Sequence, residues 1–251
     1  MKVLFVSTTA GPISQFLAPH IELLINNGHS VDIACNPVGK INPEIIRLGC
    51  SVHEIPFQRS VMKIGNLIAY KKIKNLILSE GYGLIHVHTP IAAALTRVAC
   101  RNAHNIKVIY TVHGFHFFEG APLRSWLLYY PIEKWLSKYT DTLITINHED
   151  YQRARMSFDA KRVRYLPGVG IEIKRFRGVS VNKAEKRKEI GVPHDSFVML
   201  SVGELNKNKN HEVIIRALAN LNNTNIHYLI CGQGVLHDYL IKLAKSLEIG
   251  N

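Results

Sequence analysis

The sequence predicts an α/β protein of two doubly wound parallel-sheet domains, the first complete and the second incomplete. Three observations carry this. Short β-branched apolar runs alternate with segments of helical apolar spacing, the pattern of repeated strand–helix crossovers. The strand runs are apolar on both faces, as in a parallel sheet covered on both sides. The alternation breaks once, between Pro167 and Pro193, and then restarts.

The elements follow in order. Val3–Val6 reads as a strand and Ser7–Pro12 as a loop. Ile13, Leu17, Ile21, Leu24 and Ile25 recur at helical spacing, and Asn27-Gly28 stops that helix. Val31–Ala34 and Val52–Ile55 are strands, with a short helix at Pro43–Leu48 between them. Gly65–Leu78 is a helix, Leu84–His88 a strand, Ile91–Ala103 a helix and Val108–Val112 a strand. Ser125–Lys138 is a helix, Thr142–Ile146 a strand, Glu149 to Ser157 a helix and Val163–Leu166 a strand.

The break that follows is charged and interrupted by Gly168, Gly170 and Gly178, with a basic helix in its second half. Beyond it come a strand at Phe197–Val202, a helix at His211–Leu221, a strand at Ile226–Cys231 and a helix at Leu236–Leu247, just before Gly250-Asn251. The expected organisation is a domain over 1–168, a connection over 169–195 and a partial domain over 196–251. Two strands and two helices bury the faces of a sheet poorly, so the partial domain should be marginal by itself.

Composition narrows the classes. Of the 251 residues 47% are hydrophobic and 20% charged, a globular mixture rather than a disordered one. With 31 Lys and Arg against 19 Asp and Glu, the formal charge is +12, which attracts anions. The basic residues are scattered. Their densest run, Lys183, Lys186, Arg187 and Lys188, reads as a solvated helix face. No nucleic-acid module signature accompanies the charge, so no nucleic-acid partner is expected. Cys35, Cys50, Cys100 and Cys231 form no CxxC pair and suit buried thiols in a reducing compartment. There is no signal-peptide pattern and no stretch approaching about 20 apolar residues. The expectation is a cytoplasmic chain with at most peripheral membrane contact.

Ligands in such sheets bind beyond the carboxyl ends of the strands, so the loops after Val6, His88, Val112 and Ile146 matter most. Ser7 to Pro12 lies between a strand and a helix N-terminus, where free N–H groups favour phosphate and Gly11 permits close approach. It is not the GxGxxG fingerprint, and Gly168-Val169-Gly170 leads into Ile-Glu-Ile rather than a helix, which excludes a dinucleotide oxidoreductase. His113, just after a buried strand, could donate a hydrogen bond to a sugar hydroxyl or phosphate, or act as a general base. A zinc site from His86, His88, His113 and His116 is the competing reading, with no carboxylate or cysteine completing a familiar spacing. In the second half, Lys207 and Lys209 sit beside a helix N-terminus, where they suit a diphosphate. Gly232 and Gly234 sit where a nucleotide could approach the backbone.

Several segments together resemble the family 4 retaining glycosyltransferases, most closely their bacterial exopolysaccharide and capsule branch. They are His113-Gly114-Phe115-His116-Phe117, Glu119-Gly120-Ala121-Pro122, Thr140-Asp141 to Asn147-His148-Glu149-Asp150, and Pro167-Gly168-Val169-Gly170-Ile171. To these add Gly203-Glu204-Leu205-Asn206 with Lys209-Asn210-His211, and Gly232-Gln233-Gly234. The resemblance covers the whole chain. It implies two facing Rossmann-like domains of glycosyltransferase B type and a hexosyl- or N-acetylhexosaminyl-type transfer with retained configuration. The donor would be a nucleotide-sugar, UDP-linked, held mainly by the second domain. The acceptor, polyprenyl-diphosphate-linked or a glycan, would be held mainly by the first.

The resemblance also implies no metal and no cofactor, because Lys, Arg and helix N-termini stabilise the leaving diphosphate. Carried over by position, His113 touches the donor sugar, Gly11 lies near the diphosphate and Lys209 neutralises it. Glu204, Lys207, Gly232 and Gly234 fall on the donor side, and His116, Glu119 and Asn147 on the acceptor side. Glu204 departs from the family, which often has Arg there; a carboxylate cannot neutralise a diphosphate, so it would orient Lys209 or leave the charge to Lys207. The family's paired-glutamate motif would come after residue 251. The expectation is therefore that these 251 residues alone are inactive or severely impaired. The alternative is a truncated product or one half of a split enzyme. Enzymes of this branch act at the inner membrane face. Lys71, Lys72 and Lys74 with Tyr70, and Trp126, Tyr129, Tyr130 and Trp135 with Arg124, Lys134 and Lys138, would suit an anionic membrane surface; for the Trp126 helix an ordinary amphipathic helix packing its aromatics inward is an equal reading.

Overall fold

A computed structural model describes residues 1–37, 41–60, 63–103, 105–171, 173 and 177–249. Positions 172 and 174–176 of the expected connection, and the last two residues, lie outside these. The chain divides into two compact units, Met1–Ile171 and Glu172–Asn251.

The first unit is a seven-stranded parallel sheet. Its strands are β1 (Lys2–Thr9), β2 (Ser30–Asn36), β3 (Ser51–Glu54), β4 (Leu84–His88), β5 (Lys107–Val112), β6 (Thr142–Thr145) and β7 (Arg162–Tyr165). They lie in the order β3-β2-β1-β4-β5-β6-β7, so the winding reverses between β1 and β4. That reversal opens a crevice at the carboxyl edge, the place where doubly wound sheets take ligands. The sequence's alternation is thus realised as a doubly wound sheet. Phe5 pairs with His86, and His88 with Thr111, which aligns the strand ends around the reversal.

Both sheet faces are covered, as the apolar runs require. On one face Leu4, Val6, Ile85, Val87, Val108, Tyr110 and Val112 pack under α4 (Gly65–Ser79), α5 (Pro90–Cys100) and α6 (Leu123–Ser137). On the other, Val3, Phe5, Val31 and Ile33 meet the helix that follows β1. Ile13, Leu17 and Ile21 of that helix are buried, each contributing about 1.5–3 kcal/mol.

That helix differs from the expected one. β1 runs on to Thr9, and the helix begins at Ala10 where a loop to Pro12 was expected. It proceeds as α1 (Ala10–Pro12), a π-helical segment (Ile13–Leu17) and α2 (Ala18–Asn26). Pro19 is the physical reason. It has no N–H to donate and its ring crowds the carbonyl four residues back, so the preceding turn widens. The wider turn also keeps the four-residue spacing of Ile13, Leu17 and Ile21 facing the sheet. α3 (Pro43–Arg47) begins at an Asn42 cap whose side chain accepts from the Glu44 N–H. α7 (His148–Ser157) precedes β7.

The second unit pairs β8 (Phe197–Val202) with β9 (Ile226–Cys231) in parallel. α8 (Lys183–Glu189) buries none of its residues, and Lys183, Lys186 and Lys188 are exposed as a solvated face requires, but Arg187 is half-buried and donates to the Pro193 and Ser196 carbonyls. α9 (His211–Leu221) and α10 (His237–Ser246) bury a small core of Leu205, Ile215, Leu240 and Leu243. Phe197, Leu200 and Val202 stay exposed.

Cys35, Cys50 and Cys100 are buried and unpaired, while Cys231 is exposed. Burial pushes the Cys35 and Cys50 thiols up to about 11 and Cys100 to about 12. Among the described residues no helix is long and apolar enough to cross a membrane.

Candidate active site

Three strand ends converge at the reversal of the sheet. At the end of β1, Ser7 and Thr8 are buried. The Thr8 N–H donates to Thr89 Oγ1 at 2.8 Å, and the two hydroxyls lie 2.7 Å apart. Thr9 starts the helix with no side-chain cap among the described residues, so the Ala10 and Gly11 N–H groups lack that partner. A Cβ added at Gly11 would meet nothing within 4 Å, so the space over this turn is free.

At the end of β4, Thr89 holds φ +64, a left-handed region that costs a β-branched residue about 1–3 kcal/mol. The two Thr8 hydrogen bonds hold it there, and Pro90 bars Thr89 from a right-handed helical conformation.

His113 follows β5. Its ring is exposed, but its Nε2 reaches the buried His88 Nδ1 at 3.1 Å. His86 Nε2 lies 2.8 Å from Thr111 Oγ1, and the His86 and His88 rings are 4.2 Å apart. Burial pushes His88 well below the ordinary imidazole value, and the neighbouring His86 and His113 rings add to the shift. Desolvation lowers His113 too. A neutral His113 at neutral pH offers a hydrogen bond or a base, not a positive charge.

The His113 loop is pinned from below. Phe115 and Phe117 insert into the core, while the Phe115 N–H donates to Asp150 Oδ2 at 3.1 Å and the Glu119 N–H to Glu149 Oε1 at 2.7 Å. Asn147 caps α7, accepting from the Asp150 N–H and donating its own amide to the same carboxylate. Of the expected acceptor-side residues, Asn147 is thus a cap and Glu119 is held through its backbone. His116 stacks on Tyr129 at 4.6 Å. Of the histidines considered for zinc, His86 meets Thr111, His88 and His113 meet each other, and His116 stacks on Tyr129; no group of three or more His, Cys, Asp or Glu side chains among the described residues is placed to hold a metal.

In the second unit, Lys207 and Lys209 are exposed before α9. Glu204 does not reach Lys209 directly. It accepts from Asn206 Nδ2 at 3.0 Å, and Asn206 Oδ1 accepts the Lys209 N–H at 3.1 Å. The Lys209 stem lies over Gly203, where a Cβ would stand 3.5 Å from it. Gly232 and Gly234 have a reason within the fold itself. A Cβ at 232 would lie 1.8 Å from the Gly203 carbonyl oxygen, and one at 234 would lie 2.5 Å from that of Leu205. These glycines permit the two loops to interlock backbone to backbone, through the Leu205 N–H to Gln233 and the Leu236 N–H to Leu205.

Sequence reasoning missed Thr89 and Asp150 as site-shaping residues, and treated His88 only as a metal candidate. Thr-Pro directly after a strand, and an acid three residues after a capping Asn, were the available signals.

Residues 2–147 match the glycosyl transferase 4-like family, and residues 182–251 match the glycosyl transferases group 1 family. The chain belongs to the glycosyl transferase 4-like family. EpsD of Bacillus subtilis (strain 168), assigned by name to the glycosyltransferases, is 38% identical over 98% of this chain and 65% of its own length. The UDP-Gal:alpha-D-GlcNAc-diphosphoundecaprenol alpha-1,3-galactosyltransferase of Escherichia coli is 27% identical over 75% of this chain and 49% of its own. The chain therefore spans 65% or less of these relatives. The solved structure of Anabaena Alr3699/HepE in complex with UDP-glucose shares the fold with a TM-score of 0.74. It covers 100% of this chain and 67% of its own at 15% identity.

Proposed function

We propose that the chain takes part in transferring a hexosyl or N-acetylhexosaminyl group from a UDP-sugar to a polyprenyl-diphosphate-linked or glycan acceptor in bacterial surface-polysaccharide synthesis, with retention of configuration. The observation that carries this reading is the strand-end constellation of the first unit: a helix N-terminus with no side-chain cap and open space over Gly11 after β1, and a neutral, exposed His113 after β5, bonded to His88 of the intervening β4. That is a site for an anionic group next to a polar, uncharged one, as a sugar diphosphate requires. The Escherichia coli relative, whose name specifies a UDP-sugar and a diphosphoundecaprenol-linked acceptor, supports the same chemistry.

Lys207 and Lys209 supply positive charge for the leaving diphosphate in the second unit, and no metal or cofactor enters the mechanism. Glu204 acts through Asn206 on the backbone of Lys209. Gly232 and Gly234 shape the loop that carries the nucleotide side. His116, Glu119 and Asn147 face the acceptor side. Calorimetric titration with UDP tests the reading. Binding is expected, and Lys209→Ala should weaken it about 10- to 100-fold, the loss of one charge-assisted contact. A folded chain that ignores UDP, or a Lys209→Ala chain that binds equally well, would overturn it.

We also infer peripheral contact with an anionic membrane. α4 carries exposed Lys71, Lys72 and Lys74 beside exposed Ile64, Leu67, Ile68 and Leu78, and contains no acidic residue. An open groove of about 400 Å³ runs between α4 and α5, lined by Ile64, Leu67, Tyr70, Leu95 and Val98 with Lys63 at its rim. On α6 the inward-packing reading holds for three of the four aromatics. Trp126, Tyr129 and Tyr130 pack against the core, because the sheet face beneath needs covering. Leu123, Arg124, Leu127 and Trp135 remain outward. At about 1 kcal/mol per lysine, replacing Lys71, Lys72 and Lys74 together by alanine should reduce sedimentation with anionic liposomes at least tenfold at low salt. Equal sedimentation, or indifference of the parent chain to salt, would count against membrane contact.

A further inference from the structure

The contact between His88 and His113 has a direction that the surroundings dictate. His88 is 2% exposed and ringed by other aromatic groups, with Phe5 stacked at 6.1 Å and His86 at 4.2 Å. Its Nδ1 faces His113 Nε2 at 3.1 Å, and its Nε2 is buried with no hydrogen-bond partner among the described residues. A neutral imidazole carries one proton. If that proton sat on Nε2, an N–H would be buried without an acceptor, and orphaned buried N–H groups are rare and costly. On Nδ1 the same proton makes a hydrogen bond to His113, and Nε2 keeps only an unused lone pair. His88 stays neutral because burial disfavours its charged form, and the charged groups bearing on it are other histidines, His20, His86 and His113.

We propose that His88 is a positioning residue that fixes the tautomer of His113: the His88 Nδ1–H donates to His113 Nε2, so His113 carries its proton on Nδ1 and presents a hydrogen-bond donor at the strand-end site. His113 Nδ1 makes no hydrogen bond to protein among the described residues, so it is the nitrogen left for a ligand. This decides between the two roles that the sequence leaves open for His113. A protonated Nδ1 donates to a hydroxyl or phosphate oxygen and cannot act as a base. Protonating His113 would put an N–H on Nε2 against the His88 N–H, unless His88 reversed and buried its own. His113 therefore resists charging for a geometric reason as well as through its own desolvation. The tautomer follows from contacts within the first unit; only its use toward a donor sugar rests on the function proposed above.

Long-range proton–nitrogen NMR on the ¹⁵N-histidine-labelled chain reads the tautomer directly. Between about pH 6 and 8, the window in which histidines ordinarily titrate, His113 should show a protonated Nδ1 and a bare Nε2. His88→Phe fills the space without a donor; His113 should then lose its single tautomer and titrate closer to an ordinary histidine. His88→Asn keeps an N–H at that place and should restore the Nδ1–H form. A wild-type His113 protonated on Nε2 overturns the proposal, and this outcome is readable even where the variants do not fold. So does a His88→Phe chain with unchanged tautomer and titration. Adding UDP-sugar separates the two readings: His113 signals that ignore a bound UDP-sugar would refute its donor-site role and leave the tautomer assignment standing.

Discussion

Glu133→Ala should lower the melting temperature of the first unit by about 10 °C. Arg97 is fully buried, its Nη2 2.7 Å from Glu133 Oε2 and its guanidinium 4.3 Å over the Tyr110 ring. Its Nε donates to the Ala93 carbonyl, and its Nη1 already meets no partner among the described residues. Removing the carboxylate strands a charge between α5, α6 and the sheet, at a cost of about 3–5 kcal/mol. At about 2–4 °C per kcal/mol for a unit of this size, that gives the shift stated. The double variant Arg97→Met, Glu133→Leu removes both charges and should recover most of it, less about 1 kcal/mol for the Tyr110 hydroxyl, which loses its acceptor at 3.5 Å. Differential scanning calorimetry checks both. A single variant as stable as the parent would mean that water reaches Arg97 and that this pair is not a buried one.

Phe117→Ala should cost about 3–5 kcal/mol, the range for deleting a fully buried aromatic ring. Phe117 lies 4.7 Å from Phe115 and 5.4 Å from Tyr130 in an edge-on contact, with Trp126 and Phe158 completing the cluster. The effect should extend to the site, because this cluster anchors the loop that carries His113. The Phe115 amide, held by Asp150, should exchange with solvent faster in the variant. Phe118 is 48% exposed, so Phe118→Ala is the control, with an expected change within about 0.5 kcal/mol. Equal urea-unfolding midpoints for the two variants would sink the assignment of Phe117 as the anchor.

Much of the fold was legible because period is a physical quantity that a sequence displays. The apolar runs of β1, β2, β4 and β5 are read directly from side chains that must face two covered surfaces. Loop and helix boundaries were less legible. The extension of β1 to Thr9 depends on Thr9 pairing with Asn36 of β2 across an irregularity in the ladder, and no local pattern encodes that. The π-helical segment depends on Pro19, whose presence is visible but whose consequence is felt in the preceding turn. At the site, His113 was legible from its place after a buried strand. Its partner was not, because His88 belongs to another strand, where the register sets it opposite Thr111, and it meets His113 only past the end of β5. Trp126, Tyr129 and Tyr130 illustrate the converse. Their residue types suited a membrane and a core alike, and the demand of the core for cover decided between them.

The interlocked loops of the second unit have a consequence for how natural variation at Gly232 and Gly234 is to be read. Selection will remove nearly any replacement at these positions, since a single methyl would strike the Gly203 and Leu205 carbonyl oxygens. The same invariance is what contact with a substrate would leave behind. At these glycines, constancy across relatives would record an avoided collision whatever the loop binds, and evolutionary comparison alone does not separate scaffolding from specificity.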